Sequence, residues 1–138
     1  MKKSTRLIPA TFAAIALALG VAVALPAAHA QAATLNGCTL SATIPVDDNT
    51  NVWSTASLSC STSKALNVRA ALDEKVGPIW DNVEQGWSAW EAKQGTSVSK
   101  KRTVGCNGHG TDVWRGRAGG IVNGTSGETT SSTTSITC

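Results

Sequence analysis

The stretch "VWSTASLSCSTSKALNVRAAL", Val52 to Leu72, decides the fold class. Val52, Ala56, Leu58 and Cys60 occupy alternate positions with Ser54 between them, and Leu66, Val68, Ala70 and Leu72 repeat the alternation with Asn67 and Arg69 on the other face. A period of two is what a strand buried on one side requires; a helix would bring its apolar residues round every three or four positions. Two strands are expected here. Before them, Cys38, Leu40, Ala42 and Ile44 alternate until Pro45 and the polar run "DDNTN" stop the pattern. After them, Val98, Val104 and Cys106 share a parity with Lys100 and Arg102, so a fourth strand carries charge on its partly buried side. Val113 and Trp114 with Ile121 and Val122 make a fifth, and "TTSSTTSITC" closes the chain as a threonine-rich sixth. Between these last two, "GGIVNGTSGETTSSTTS" reads as a loop. Six strands punctuated by turn residues predict a mainly β protein, a two-layer antiparallel sandwich of immunoglobulin-like type.

One segment departs from this pattern. In "GPIWDNVEQGWSAWEAKQG", Trp80, Val83, Trp87 and Trp90 recur at helical spacing, and Pro78, Asp81, Glu84 and Lys93 suit the ends of a helix dipole. Gly86 in the middle opposes a helix by about 1 kcal/mol. Two readings stand: a short helix over 79–93, or an irregular hairpin.

The first thirty residues have the layout of an export signal, with Lys2, Lys3 and Arg6, an apolar run from Leu7 to Leu25, and the small residues Ala28 and Ala30 around His29. Cleavage is expected after Ala30 or Ala32, leaving 31–138 as a single secreted domain with a short free N-terminal segment, 31–37. The full chain carries a formal charge of +3; without the three basic residues of the signal, nine bases face nine acids. A neutral chain has no bulk field to gather nucleic acid or anionic lipid, so neither nucleic-acid binding nor membrane insertion is expected. About a hundred residues give a core of marginal size. Cys38, Cys60, Cys106 and Cys138 are an even set in an exported chain, and pairing Cys38 with Cys60 and Cys106 with Cys138 is expected because each pair brackets neighbouring strands. No CxxC spacing occurs, so the cysteines are not read as metal ligands.

Catalytic chemistry finds little support. His109 lies among Asn107, Gly108 and Gly110 and reads as an exposed turn residue; as a general base it would need Asp112 to orient it and a nucleophile for which no G-x-S-x-G elbow exists. Asp73, Asp81, Glu84 and Glu91 supply carboxylates in a charged, solvated pattern, and Asp47, Asn49 and Asn51 begin a calcium-loop spacing that fails at Val52 and Leu58. No catalytic residue, cofactor or metal is assigned. The five tryptophans are more informative, since the mature chain has no phenylalanine or tyrosine. Three are expected to fill the core, and Trp87 and Trp90 to remain partly exposed as interface anchors. Arg115 and Arg117, with Lys100, Lys101 and Arg102, form either a basic patch or a solvated edge.

The layout resembles the small secreted β-proteins of filamentous soil bacteria, among them inhibitors of secreted hydrolases and the small adaptor subunit of umbrella toxin particles. The resemblance lies in the export signal, the two-disulfide mature chain and the Cys-x-Gly-x-Gly-Thr-Asp-x-Trp-Arg stretch from Cys106 to Arg115. It implies a globular part that docks on a large scaffold protein and an N-terminal segment, Gln31, Ala32, Ala33, Thr34, Leu35 and Asn36, that engages a lectin-like subunit as an extended strap. The expected function is a secreted, non-enzymatic adaptor in an extracellular toxin complex used between bacteria; the alternative is an inhibitor of a secreted protease or glycosidase.

Overall fold

The computed structural model describes residues 31–84, 86–106 and 108–138, and the expected signal lies outside them. Every regular element among these residues is a strand: β1 (Ala32–Leu35), β2 (Cys38–Ala42), β3 (Val46–Asp47), β4 (Asn51–Val76), β5 (Ile79–Asn82), β6 (Glu91–Gly105), β7 (Thr111–Val122), β8 (Thr125–Thr130) and β9 (Thr134–Thr137). All pairings are antiparallel, in one open sheet.

The two strands read between Val52 and Leu72 are one strand of 26 residues. Their connection, Cys60 to Lys64, contains no glycine or proline, and serine and threonine are compatible with extended backbone. Ser59 faces Ser97 and Lys64 faces Gly95, so four residues of β4 oppose one of β6. At this irregularity β4 passes from one layer to the other. Its first half pairs with β2 and β6, and its second half with β7, β5 and the start of β6. The layers pack face to face, with β2 against β7 and β8. The expected sandwich therefore shares a single hydrogen-bonded ladder through β4 and β6.

The core has two clusters. Leu35, Leu40, Leu58, Leu66, Val68 and Val122 lead the first, which includes Cys38 and packs Cys60. Val52, Leu72, Val104, Trp114 and Ile136 lead the second, which includes Cys106 and packs Cys138. The disulfides are Cys38–Cys60 and Cys106–Cys138, one per cluster, as the strand bracketing predicts. Ser54 separates Val52 from Ala56 along β4, and Gly116 separates Trp114 from Ala118 along β7. These two residues meet across the layers. Ser54 Oγ donates to the Thr43 carbonyl (2.8 Å), at the bulge where β2 gives way to β3. Opposite, the Gly116 N–H donates to Ser131 Oγ (2.8 Å), at the bulge where β8 gives way to β9.

Three expectations are corrected. The helix over 79–93 is absent: Ile79–Asn82 is strand, Glu84 and Gly86 take positive φ (48° and 81°), and the chain follows the β4 edge through Val83 N–H to Leu72 (3.1 Å) and Ser88 N–H to Ala70 (2.8 Å). The loop over 119–135 contains β8, joined to β7 by the tight turn Asn123-Gly124, both at positive φ. The N-terminal segment is not free. Ala32–Leu35 pairs with β2, Asn36-Gly37 forms the turn, and Leu35 is 6% exposed in the core.

Candidate binding face

The outer face of the β4–β7–β8 layer carries alternate residues that point away from the core: Arg69 and Asp73 on β4, Arg115 and Arg117 on β7, Glu128 on β8. Three indoles from the β5 side lie over them. Arg69 is sandwiched between Trp87 and Trp90 (4.3 and 4.5 Å to the ring centres), Arg117 stacks on the same Trp87 (4.5 Å), and Arg115 stacks on Trp80 (4.3 Å). The order across the face is thus Trp90, Arg69, Trp87, Arg117, Arg115, Trp80. A guanidinium over an indole gains about 0.5–1 kcal/mol at exposed sites and about 2 when desolvated.

Asp73 anchors the array. Its side chain is 2% exposed and accepts from Arg115 Nε (2.8 Å), with Arg117 Nη1 at 3.6 Å. Asn82 bridges the pair: in the amide orientation that satisfies both groups, its nitrogen donates to Asp73 Oδ1 (2.6 Å) and its oxygen accepts from Arg117 Nη1 (3.2 Å). Glu128 takes the far side of Arg117 (3.0 Å) and Arg69 (3.5 Å). Gly119 lies beneath the stack, where a Cβ would come within 3.0 Å of Arg69 Nε and 3.4 Å of Trp87. A side chain at that position would crowd the Arg69–Trp87 stack.

Trp87, Trp90, Arg115 and Arg117 therefore share one face. Gln31 reaches its border, where its carbonyl accepts from Thr129 Oγ1 (3.4 Å) and it lines a cleft of about 490 Å³ with Arg115, Arg117, Glu128 and Thr130. The rest of the N-terminal group does not join: Ala32, Ala33, Thr34 and Leu35 are committed to the pairing with β2, and Asn36 Nδ2 donates to the Val122 carbonyl (3.3 Å). Trp114 is the one fully buried tryptophan, so leucine and valine supply most of the core bulk assigned to three indoles. Trp53 sits under Lys101 (4.3 Å) on the other layer. The five basic residues do not gather, because β6 and β7 flank β4 on opposite edges. Lys100 instead pairs with Glu91 (3.1 Å), and Arg102 donates to the Glu84 carbonyl. Asp47 and Asp48 accept backbone N–H groups of their own turn, which holds the Asp48 carboxyl below its usual range.

Sequence reading missed Asp73 as the anchor, Arg69, Trp80 and Glu128 as its neighbours, and an apolar hairpin tip beside them. Val76 and Ile79 face each other across Gly77 (φ 59°) and Pro78, and are 53% and 62% exposed. Trp80, stacked on Arg115, is next in the chain.

His109 has a different setting from the exposed turn expected of it. It is half-buried, its ring meets Trp114 edge-on (5.3 Å), and Nδ1 lies 2.7 Å from Glu74 Oε2. Burial holds the Glu74 carboxyl above its ordinary range, a hydrogen bond with Asp112 raises it further, and His109 acts in the opposite sense. The group closes the end of the second core cluster and fastens residues 108–110 to it. Among the described residues no cluster of histidine, cysteine and carboxylates could hold a metal ion, and no helix is long and apolar enough to cross a membrane.

No protein-family model matches the chain, and no curated protein matches it. Among solved structures it is similar to beta-glucosidase 3B from Thermotoga neapolitana in complex with glucose, at a TM-score of 0.35 and 9% identity, covering 80% of this chain and 17% of that one. The same enzyme in complex with glycerol gives a TM-score of 0.34 and 11% identity over the same shares. Likeness this slight carries no inference about activity.

Proposed function

We propose that the protein is a secreted, non-catalytic binding module that works as an adaptor or structural subunit of an extracellular protein complex used in competition between bacteria. The Trp–Arg face carries the reading. Tryptophan and arginine dominate the energetics of protein interfaces, and groups fixed before binding lose little freedom on association. Here each guanidinium is already held by an indole and a carboxylate, and Trp90 (41% exposed) with the Val76–Ile79 tip extends the face as apolar surface. Two disulfides suit an oxidising compartment. Cleavage after Ala30 would leave β1 whole, whereas cleavage after Ala32 would remove the partner of Ser41.

The hairpin tip favours inhibition of a secreted hydrolase as a second reading, since a two-residue loop braced at its stem is the rigid apex that such a role requires. One experiment separates the two. The tagged mature protein is recovered from culture supernatant of its source beside the double variant Ile79→Asp/Trp90→Ala. A large secreted protein recovered in fixed ratio with the native chain and lost with the variant is the adaptor result; a single hydrolase, inhibited stoichiometrically by the native chain, is the inhibitor result. Equal recovery by both chains, or no protein bound, refutes the assignment of this face.

A further inference from the structure

The Trp–Arg face carries more positive charge than it neutralises. Register sets Arg69, Asp73 and Lys75 of β4, Arg115 and Arg117 of β7 and Glu128 of β8 on one side of the sheet, four cations with two carboxylates. Both carboxylates are already engaged. Asp73 holds Arg115 through Nε (2.8 Å) and lies 3.6 Å from Arg117, while Glu128 is shared between Arg117 (3.0 Å) and Arg69 (3.5 Å). Arg117 commits Nη1 to Asn82 and Nη2 to Glu128. Arg115 differs. Its hydrogen bond among the described residues comes from Nε, and its terminal nitrogens, Nη1 and Nη2, have no partner there. The group is nevertheless fixed in place, by the stack on Trp80 (4.3 Å) and by the bond to the buried Asp73.

Arg115 and Arg117 line the cleft of about 490 Å³ together with Thr130, which faces Arg117 across the β7–β8 ladder. The Thr130 hydroxyl also lacks a partner among the described residues. A guanidinium presents its donors as a planar fork, and two parallel N–H groups match the two oxygens of a carboxylate. A neighbouring hydroxyl can donate a further bond. Glu128 stands on the same wall of the cleft and opposes a second negative charge, so a monoanion suits the site better than a phosphate dianion. One exposed ion pair contributes little by itself, but this one is continuous with the indoles and the apolar tip of the binding face, where surrounding contacts exclude water.

We propose that the cleft receives the carboxylate of an aspartate or glutamate side chain from a protein partner, seated on the terminal nitrogens of Arg115. The proposal rests on the protein-binding reading of the face and names the chemistry that the partner brings to it.

The test has two arms. In the first, N-acetylglutamic acid α-N-methylamide is titrated into the purified mature protein while the arginine side-chain resonances are followed by NMR, beside the corresponding glutamine compound and methyl glucuronide. The glutamate compound is expected to shift the Arg115 guanidinium saturably and less tightly at high salt, and the glutamine compound to leave it unmoved. Thr130→Glu, which fills the cleft with a carboxylate of the chain's own, is expected to weaken binding by about tenfold or more, whereas Thr130→Gln, of the same size without the charge, should bind within about threefold of native. No shift at Arg115, an equal response to the glutamine compound, tighter binding of the glucuronide than of the glutamate compound, or equal loss in both Thr130 variants would each overturn the proposal. In the second arm, partner recovery from culture supernatant is compared for the native chain, Thr130→Glu and Ile79→Asp/Trp90→Ala. Loss by both variants is the expected result. Recovery kept by Thr130→Glu and lost by Ile79→Asp/Trp90→Ala overturns the cleft and leaves the face standing; recovery kept by both overturns the face and the cleft with it.

Discussion

At Gly116 the two layers press against each other, and one added methyl group there has no room. An alanine Cβ would lie 2.1 Å from Ser54 Oγ, 2.6 Å from the Thr43 carbonyl oxygen and 2.9 Å from Ser54 Cβ. Even a favourable carbon–oxygen contact needs about 3.3 Å, so the layers would have to part by nearly an ångström or the Thr43 bulge would have to refold. Serine can rotate away, but the Thr43 carbonyl belongs to backbone tied to β4 through Thr43 N–H to Thr55 (2.9 Å) and can move only with it. Overpacking costs about 1–3 kcal/mol, and the involvement of backbone puts Gly116→Ala near 3 kcal/mol. The competing effect has the opposite sign: where backbone permits, replacing glycine by alanine stabilises by about 0.4–1 kcal/mol through the unfolded chain. Gly116 is not among the positive-φ glycines, so only the close approach opposes the change. At about 4–8 °C per kcal/mol for a domain of this size, the melting temperature should fall by roughly 12–24 °C in a calorimetric scan. Gly95 is the control, since its added Cβ would meet only the flexible end of Lys93 at 3.6 Å, and Gly95→Ala should be neutral or slightly stabilising. Ser54→Gly in the Gly116→Ala background removes two of the three obstacles and should restore part of the loss. A Gly116→Ala protein melting within about 2 °C of the native chain would refute the reasoning.

Asp73→Ala leaves Arg115 and Arg117 adjacent without their shared carboxylate and should cost about 3 kcal/mol in urea unfolding, with Trp80 fluorescence changing as its stack on Arg115 loosens. Replacing Cys38 and Cys60 by serine, or Cys106 and Cys138, should cost about 3–4 kcal/mol each on the chain-entropy account, and because the pairs lie in different clusters the two losses should add. A folded-state carboxyl held above its unfolded value binds its proton more readily when folded, so Glu74 should make the native chain more stable as pH falls from neutral towards the ordinary glutamic range; Glu74→Gln should flatten that rise, as read by melting temperature against pH.

The alternation of Val52–Leu72 and the bracketing of strands by cysteines are local, and local pattern is what a sequence displays. The turn Asn123-Gly124 was equally local, but β8 hides behind it because its inward position is Gly127, pressed within 3.1 Å of Leu35 at a notional Cβ, and gives no apolar alternation. The tryptophan spacing misled for a physical reason. Trp80, Trp87 and Trp90 are spaced by the arginines they cover, which come from two strands, and that spacing happens to match a helical turn. The Asp73 anchor depends on the register of β4 against β7, which pairs Asp73 with Arg115 across 42 residues of sequence. Likewise His109 finds Glu74 rather than the nearby Asp112 because β4 delivers Glu74 opposite Trp114, on which the ring rests.

The meeting of Ser54 with Gly116 has a bearing on inheritance as well as on stability. It divides the interior into two compartments, each closed by its own cysteine pair, with β4 running through both. The Val76–Ile79 tip lies beside one compartment, and the Asn36-Gly37 turn beside the other. A lineage can remodel either end for a new partner without disturbing the packing of its opposite. The glycine at the crossing is the position that such a lineage is not free to change.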